Sequence, residues 1–151
     1  MTKARTLDSQ EIVRKLKSDE ARRLFEDNHV LAAYLFGSVA EGGTHAHSDV
    51  DVAVVYVSSV PVSQYGKARL AITVGLMSLL KLDEVDVVPL NRAPALLLFE
   101  VLRNGMTLYV ADEYETAEFE IRALGLYYDF VRELDSYMAE MQSRIKERGL
   151  A

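Results

Sequence analysis

The sequence predicts an α/β domain, a small mixed β-sheet with helices packed mainly on one face and a long C-terminal helix. Two observations carry this. Short, β-branched apolar runs alternate with segments of helical periodicity. From about Tyr114 the helical pattern then continues without a break to about Glu147. The runs are few and short, so the sheet is small. At 151 residues, 50% of them hydrophobic and 26% charged, the chain suits one domain with a real core. Residues 1–112 form the body of that domain, and residues 113–151 are its C-terminal helix.

Each element has its own signal. Asp8-Ser9-Gln10-Glu11 reads as a capping box, with Asp8 as N-cap and Glu11 three residues on. Ile12, Leu16, Leu24 and Phe25 keep helical spacing to about Asn28, with a break expected at Lys17-Ser18-Asp19. Val30 to Phe36 is a short apolar run stopped by Gly37, which predicts a buried strand. A loop rich in Gly, Ser and His follows, and Val50 to Val57 is a second, valine-rich strand. Pro61 opens a helix from about Val62 to Lys81, with Leu70, Val74, Met77 and Leu80 as its expected apolar stripe. Val85 to Pro89 is a third strand. Pro94 opens the next helix, Asn104-Gly105 closes it, and Thr107 to Val110 is the last strand.

Composition narrows the function. The chain has no cysteine, which removes disulfides, zinc thiolate sites and thiol catalysis. It has no apolar run of about 18 residues, so no membrane span is expected. Met1 to Thr6 lacks the apolar core of a secretion signal, so a cytoplasmic location is expected. A net charge of −6 argues against general nucleic-acid binding. It leaves room for a nucleotide if carboxylates recruit metal ions that carry the phosphates.

The informative segment is Phe36-Gly37-Ser38, then ten residues (39 to 48), then Asp49-Val50-Asp51. Side chains alternate along a strand, so Asp49 and Asp51 share one face and the valines take the other. Two carboxylates that close repel unless a cation sits between them. Magnesium, a hard cation that favours few carboxylates plus substrate phosphates, fits. Asp86 is a third candidate, because Val85 and Val87 point opposite to it. If its strand lies beside Val50–Val57, three carboxylates are available for two metal ions, which can clamp an in-line displacement at phosphorus. Gly37-Ser38 after a buried strand allows close approach of backbone to phosphate.

This pattern resembles the nucleotidyltransferase superfamily that includes DNA polymerase β, and within it the minimal nucleotidyltransferase (MNT) group. The similarity runs from about Val30 to Val110 and includes Val85-Asp-Val-Val-Pro-Leu-Asn91 and Gly105-Met-Thr-Leu-Tyr109. The resemblance implies the polymerase β-type fold. It also implies that Gly37 and Ser38 hold the phosphates of ATP. Asp49 and Asp51 would bind both Mg²⁺ ions, and Asp86 would bind the catalytic one and help deprotonate the acceptor hydroxyl. Many members carry arginine where this chain has Glu41, between Ala40 and Gly42; Lys67 or Arg69 is the expected source of replacement charge. The MNT group is often the antitoxin of a two-gene system whose toxin is a helical, dimeric HEPN-type ribonuclease. The resemblance therefore implies transfer of AMP to a tyrosine of that toxin within a hetero-oligomer.

The last helix bears on the partner. Leu124, Tyr127, Val131, Leu134, Met138, Met141 and Ile145 step alternately by three and four, a heptad seam. At 1.5 Å per residue such a helix is roughly 50 Å long and outreaches a small sheet. Its distal half is expected to dock on a helical partner. Two rival readings remain at this point. One is a non-catalytic antitoxin that occludes the toxin, favoured by Glu41. The other is a transferase for a small-molecule hydroxyl, disfavoured because no second substrate domain is present. His45 and His47 are read as solvated loop residues, and His29 as a helix-end residue.

Overall fold

In the computed structural model, residues 8–40 and 50–149 are described. They form α1 (Ser9–Leu16), α2 (Asp19–Asp27), β1 (Val30–Phe36), β2 (Val50–Tyr56), a 3-10 turn (Val62–Gln64), α3 (Tyr65–Leu80), β3 (Val85–Pro89), α4 (Ala95–Asn104), β4 (Met106–Val110) and α5 (Glu113–Glu147). The expected break between the first two helices is made by Ser18. Its hydroxyl donates to the Lys15 carbonyl at 2.6 Å and accepts from the Ala21 amide at 3.4 Å. One side chain thus ends α1 and begins α2. The expected capping box at α1 does not form. Asp8 occupies the N-cap with an extended backbone but accepts no capping hydrogen bond, and Glu11 turns toward Lys15 one helical turn on, at 3.9 Å.

The four strands lie in the order β3-β2-β1-β4. β2 and β3 are parallel; β1 is antiparallel to both β2 and β4. Alternation along the strands separates two cores. Val30, Ala33 and Leu35 of β1, Val50, Val52, Val54 and Tyr56 of β2, and Val85 and Val87 of β3 face α1, α2 and α3. Leu31, Ala32 and Tyr34 of β1, with Ala53 and Val55 of β2, face α4 and α5. A register shift between Val30 and Ala32 lets the neighbours Leu31 and Ala32 join the same core. The first face is covered by three helices. On the second, α4 and α5 lie over β1, and no described helix covers the β3 side, where Asp86 is exposed.

The buried row of α3 is Ile72, Leu76 and Leu80, whereas Leu70 and Val74 are 66% and 57% exposed. Half of the expected stripe holds, since Leu80 is buried and Met77 packs against the first core, but Leu70 and Val74 are out of phase. The cause is that α3 is apolar on nearly every side, so periodicity alone selects no face. Tertiary contact selects it instead: Gly75 packs so tightly on α2 that an added Cβ would stand 2.6 Å from the Leu24 side chain. Gly105 closes α4 as expected, but with an extended backbone rather than a left-handed one. Its glycine is needed for space, since an added Cβ would overlap the Val101 carbonyl oxygen and stand 3.2 Å from that of Leu35.

Beyond the end of β3, Asn91 continues the ladder with its side chain. Its Nδ2 donates to the Tyr56 carbonyl at 3.0 Å, and its Oδ1 accepts from the Tyr56 amide at 2.8 Å. Tyr56 is 1% exposed, so water does not replace these bonds. Asn91→Ala is expected to cost about 1–3 kcal/mol of stability, the penalty for unpaired buried polar groups. An unchanged denaturation midpoint would contradict this role.

α5 is started by Asp112, whose carboxylate accepts from the Glu115 amide at 2.8 Å. Its first half is fastened to the sheet. The Tyr34 hydroxyl donates to Glu120 Oε1 at 2.7 Å, Thr116 and Ala123 are buried, and the Phe99 and Tyr127 rings stack at 3.7 Å. After Val131 every described residue is exposed. The second half of the seam, Leu134, Met138, Met141 and Ile145, is 37–50% exposed. No helix among the described residues is long and apolar enough to cross a membrane.

Candidate active site

The site forms where β1 ends, at the edge of the sheet. Phe36, the last residue of β1, pairs with Asp51 of β2. The chain then turns at Gly37, whose φ of +77° lies in the left-handed region. A Cβ at Gly37 would overlap Asp51 Oδ2 and stand 3.3 Å from its Cγ. Glycine is thus required twice, once for the dihedral and once so that the backbone can lie against a carboxylate. Ser38 follows in a turn, half-buried, and Val39 inserts into the first core at 4% exposure. That anchor fixes the start of the loop and aims the Gly37-Ser38 backbone along the sheet edge.

Asp51 pairs in register with Asp86 on the neighbouring parallel strand. Neighbouring strands are about 4.8 Å apart, and paired residues share a face. Both carboxylates stand on the open second face, because Val50, Val52, Val85 and Val87 turn into the first core. Asp51 is half-buried and Asp86 exposed. Arg69 of α3 reaches the β3 edge and places Nη2 3.5 Å from Asp86 Oδ1. The structure therefore brings Gly37, Ser38, Asp51 and Asp86 together. Asp49 lies outside the described residues, as do Glu41, His45 and His47. Among the described residues no group of three or more His, Asp or Glu side chains is arranged to hold a metal.

Two carboxylates side by side on one face are a donor set for a hard cation. They are hard oxygen ligands, and their mutual repulsion is relieved by positive charge between them. The residues present thus fit magnesium. Of the two cations expected near the phosphates, Lys67 lines a hollow with Asp27, Asn28 and His29, while Arg69 is bound to Asp86. The Arg69–Asp86 pair was not anticipated, since no sequence spacing links positions 69 and 86. The available signal was the short turn after Leu80: it folds β3 back along α3, so the first turns of the helix pass the strand.

A mixed sheet with a glycine-serine turn facing paired strand carboxylates defines a nucleotidyltransferase architecture. The family model described as Polymerase beta, Nucleotidyltransferase matches residues 19–114, and the chain belongs to that family. It is 28% identical over 117 residues to the protein adenylyltransferase MntA of Shewanella oneidensis, covering 76% of this chain and 80% of that protein. Its structure resembles a chain of a toxin–antitoxin complex crystallised with AMP-PNP, with TM-score 0.64, 26% identity and coverage of 83% and 99% of the two chains. It also resembles a chain of the complex of tri-AMPylated S. oneidensis HEPN toxin with MNT antitoxin. There the TM-score is 0.60, the identity 24% and the coverage 89% and 98%.

Proposed function

We propose that the protein is an antitoxin that transfers AMP from ATP to a tyrosine of a cognate HEPN-type ribonuclease toxin and so neutralises it in the cytoplasm. The observation that carries this is the in-register pair Asp51 and Asp86 beside Gly37, on a part of the sheet that no described helix covers. The relationship to MntA, an adenylyltransferase by name, supports the choice of AMP and of a protein acceptor.

In this reading Asp49, Asp51 and Asp86 would hold Mg²⁺ together with the substrate's phosphates, and the ion would supply charge neutralisation at the reacting phosphate. Gly37 and Ser38 offer backbone amides and a hydroxyl to the β and γ phosphates. Asp86, the more exposed carboxylate, faces the side from which an acceptor hydroxyl arrives and takes its proton. The tyrosine oxygen then bonds to the α-phosphorus, the bond from that phosphorus to the bridging oxygen breaks, and pyrophosphate leaves. The open face accommodates an acceptor carried on another protein.

The distal half of α5 is the proposed docking element for the toxin. Its exposed seam ends well beyond the sheet, and apolar residues at 37–50% exposure gain from a helical partner. A chain ending at Asp135 is expected to keep its fold, because every described residue removed is exposed, and to lose co-purification with the toxin. Retained co-purification would contradict the docking role. The reaction is tested by pyrophosphate release from Mg²⁺–ATP. Release that requires the toxin supports the proposal. Release with a small hydroxyl compound and no toxin would assign a different acceptor. No release, with tight complex formation, would leave occlusion as the mode of neutralisation.

A further inference from the structure

We infer that Arg69 is a built-in counter-cation for Asp86, which occupies that carboxylate until a divalent ion displaces it. This inference rests on the proposed metal role of Asp51 and Asp86. The pair joins two elements far apart in sequence, α3 and the edge strand β3, so it is set by the fold and not by helical proximity. Its purpose follows from electrostatics. Asp51 and Asp86 stand in register on adjacent strands, and without a cation their charges repel. Arg69 supplies a positive charge when no metal is present, which lets the fold keep both carboxylates in place.

The contact is built to be exchanged. It is a single 3.5 Å approach of one guanidinium nitrogen to one carboxylate oxygen, without the paired bonds that make arginine–carboxylate contacts strong. The two side chains are 52% and 54% exposed, so parting them leaves neither charge stranded in the core. The Tyr56 hydroxyl is buried and has no hydrogen-bond partner among the described residues. Burial pushes its pKa up to about 12, and the charge of Arg69 opposes that rise, which places the guanidinium within electrostatic reach.

The consequence is competition: Arg69 lowers the apparent affinity for divalent ions. Exposed ion pairs shift an equilibrium by at most about fivefold. The test is a Mn²⁺ titration of the full chain without nucleotide, with free Mn²⁺ read by electron paramagnetic resonance. Wild type, Arg69→Gln, Arg69→Lys and Asp51→Asn are compared. Arg69→Gln is expected to bind Mn²⁺ about two- to fivefold more tightly, and Arg69→Lys to stay near wild type. Raising the salt should shrink the gain, because it screens the exposed pair. Unchanged or weaker binding by Arg69→Gln, with wild-type Mn²⁺ binding lost in Asp51→Asn, would overturn the counter-cation role alone. Wild-type binding by Asp51→Asn would overturn the metal reading on which it rests.

Discussion

Asp51→Asn is expected to abolish nucleotidyl transfer while leaving the fold intact. The substitution keeps size and shape, and the strand pairing of Asp51 to Phe36 and Asp86 runs through the backbone. What changes is one negative charge in a pair that repels. Size, shape and backbone pairing are kept, so the thermal midpoint should stay near that of the wild type. The same charge is asked to hold the cation that offsets charge building on the phosphate. Losing one such partner costs about 10²–10³-fold in rate. A fall in both activity and midpoint would indicate a structural role for Asp51. Full activity would remove it from the mechanism.

Gly37→Ala should differ from this in stability, with losses in both stability and activity. A β-carbon at φ +77° costs about 1–2 kcal/mol. It would also overlap Asp51 Oδ2, so either the carboxylate or the turn must move. Displacement of about 1 Å at a reacting centre costs on the order of 10²-fold in rate. Gly125→Ala is the control. That glycine lies within α5 with nothing within 4 Å of an added Cβ, so alanine there should add up to about 1 kcal/mol and leave transfer unchanged. Equal behaviour of the two alanine variants would contradict the close approach at Gly37.

The strands were legible because valine runs with punctuating Gly and Pro admit few other readings. The faces of Asp51 and Asp86 were legible for a related reason, whereas the sequence left open whether their strands are neighbours. Alternation fixes the face of each carboxylate, and a helix between two strands favours a parallel pair. α3 resisted the same treatment, since a helix apolar all round can present Leu70 and Val74 or Ile72 and Leu76 equally well. Only its packing against the sheet and Leu24 decides. The capping box at Asp8 was misread: Asp8 accepts no capping hydrogen bond, and Glu11 approaches Lys15. Arg69 was singled out by its charge, but its target is set by the fold of the chain and not by any local pattern. Asp49 and the loop before it lie outside the described residues, so the third carboxylate remains an expectation drawn from sequence.

The central claim is covalent, and the intact mass of the acceptor tests it most directly. The product of the adjoining gene would be incubated with the protein and Mg²⁺–ATP, with the Asp51→Asn variant run in parallel. The proposal predicts a gain of one or more AMP units with the wild-type protein and none with the variant. An unchanged mass with both proteins, in a mixture that still forms the complex, would contradict AMP transfer.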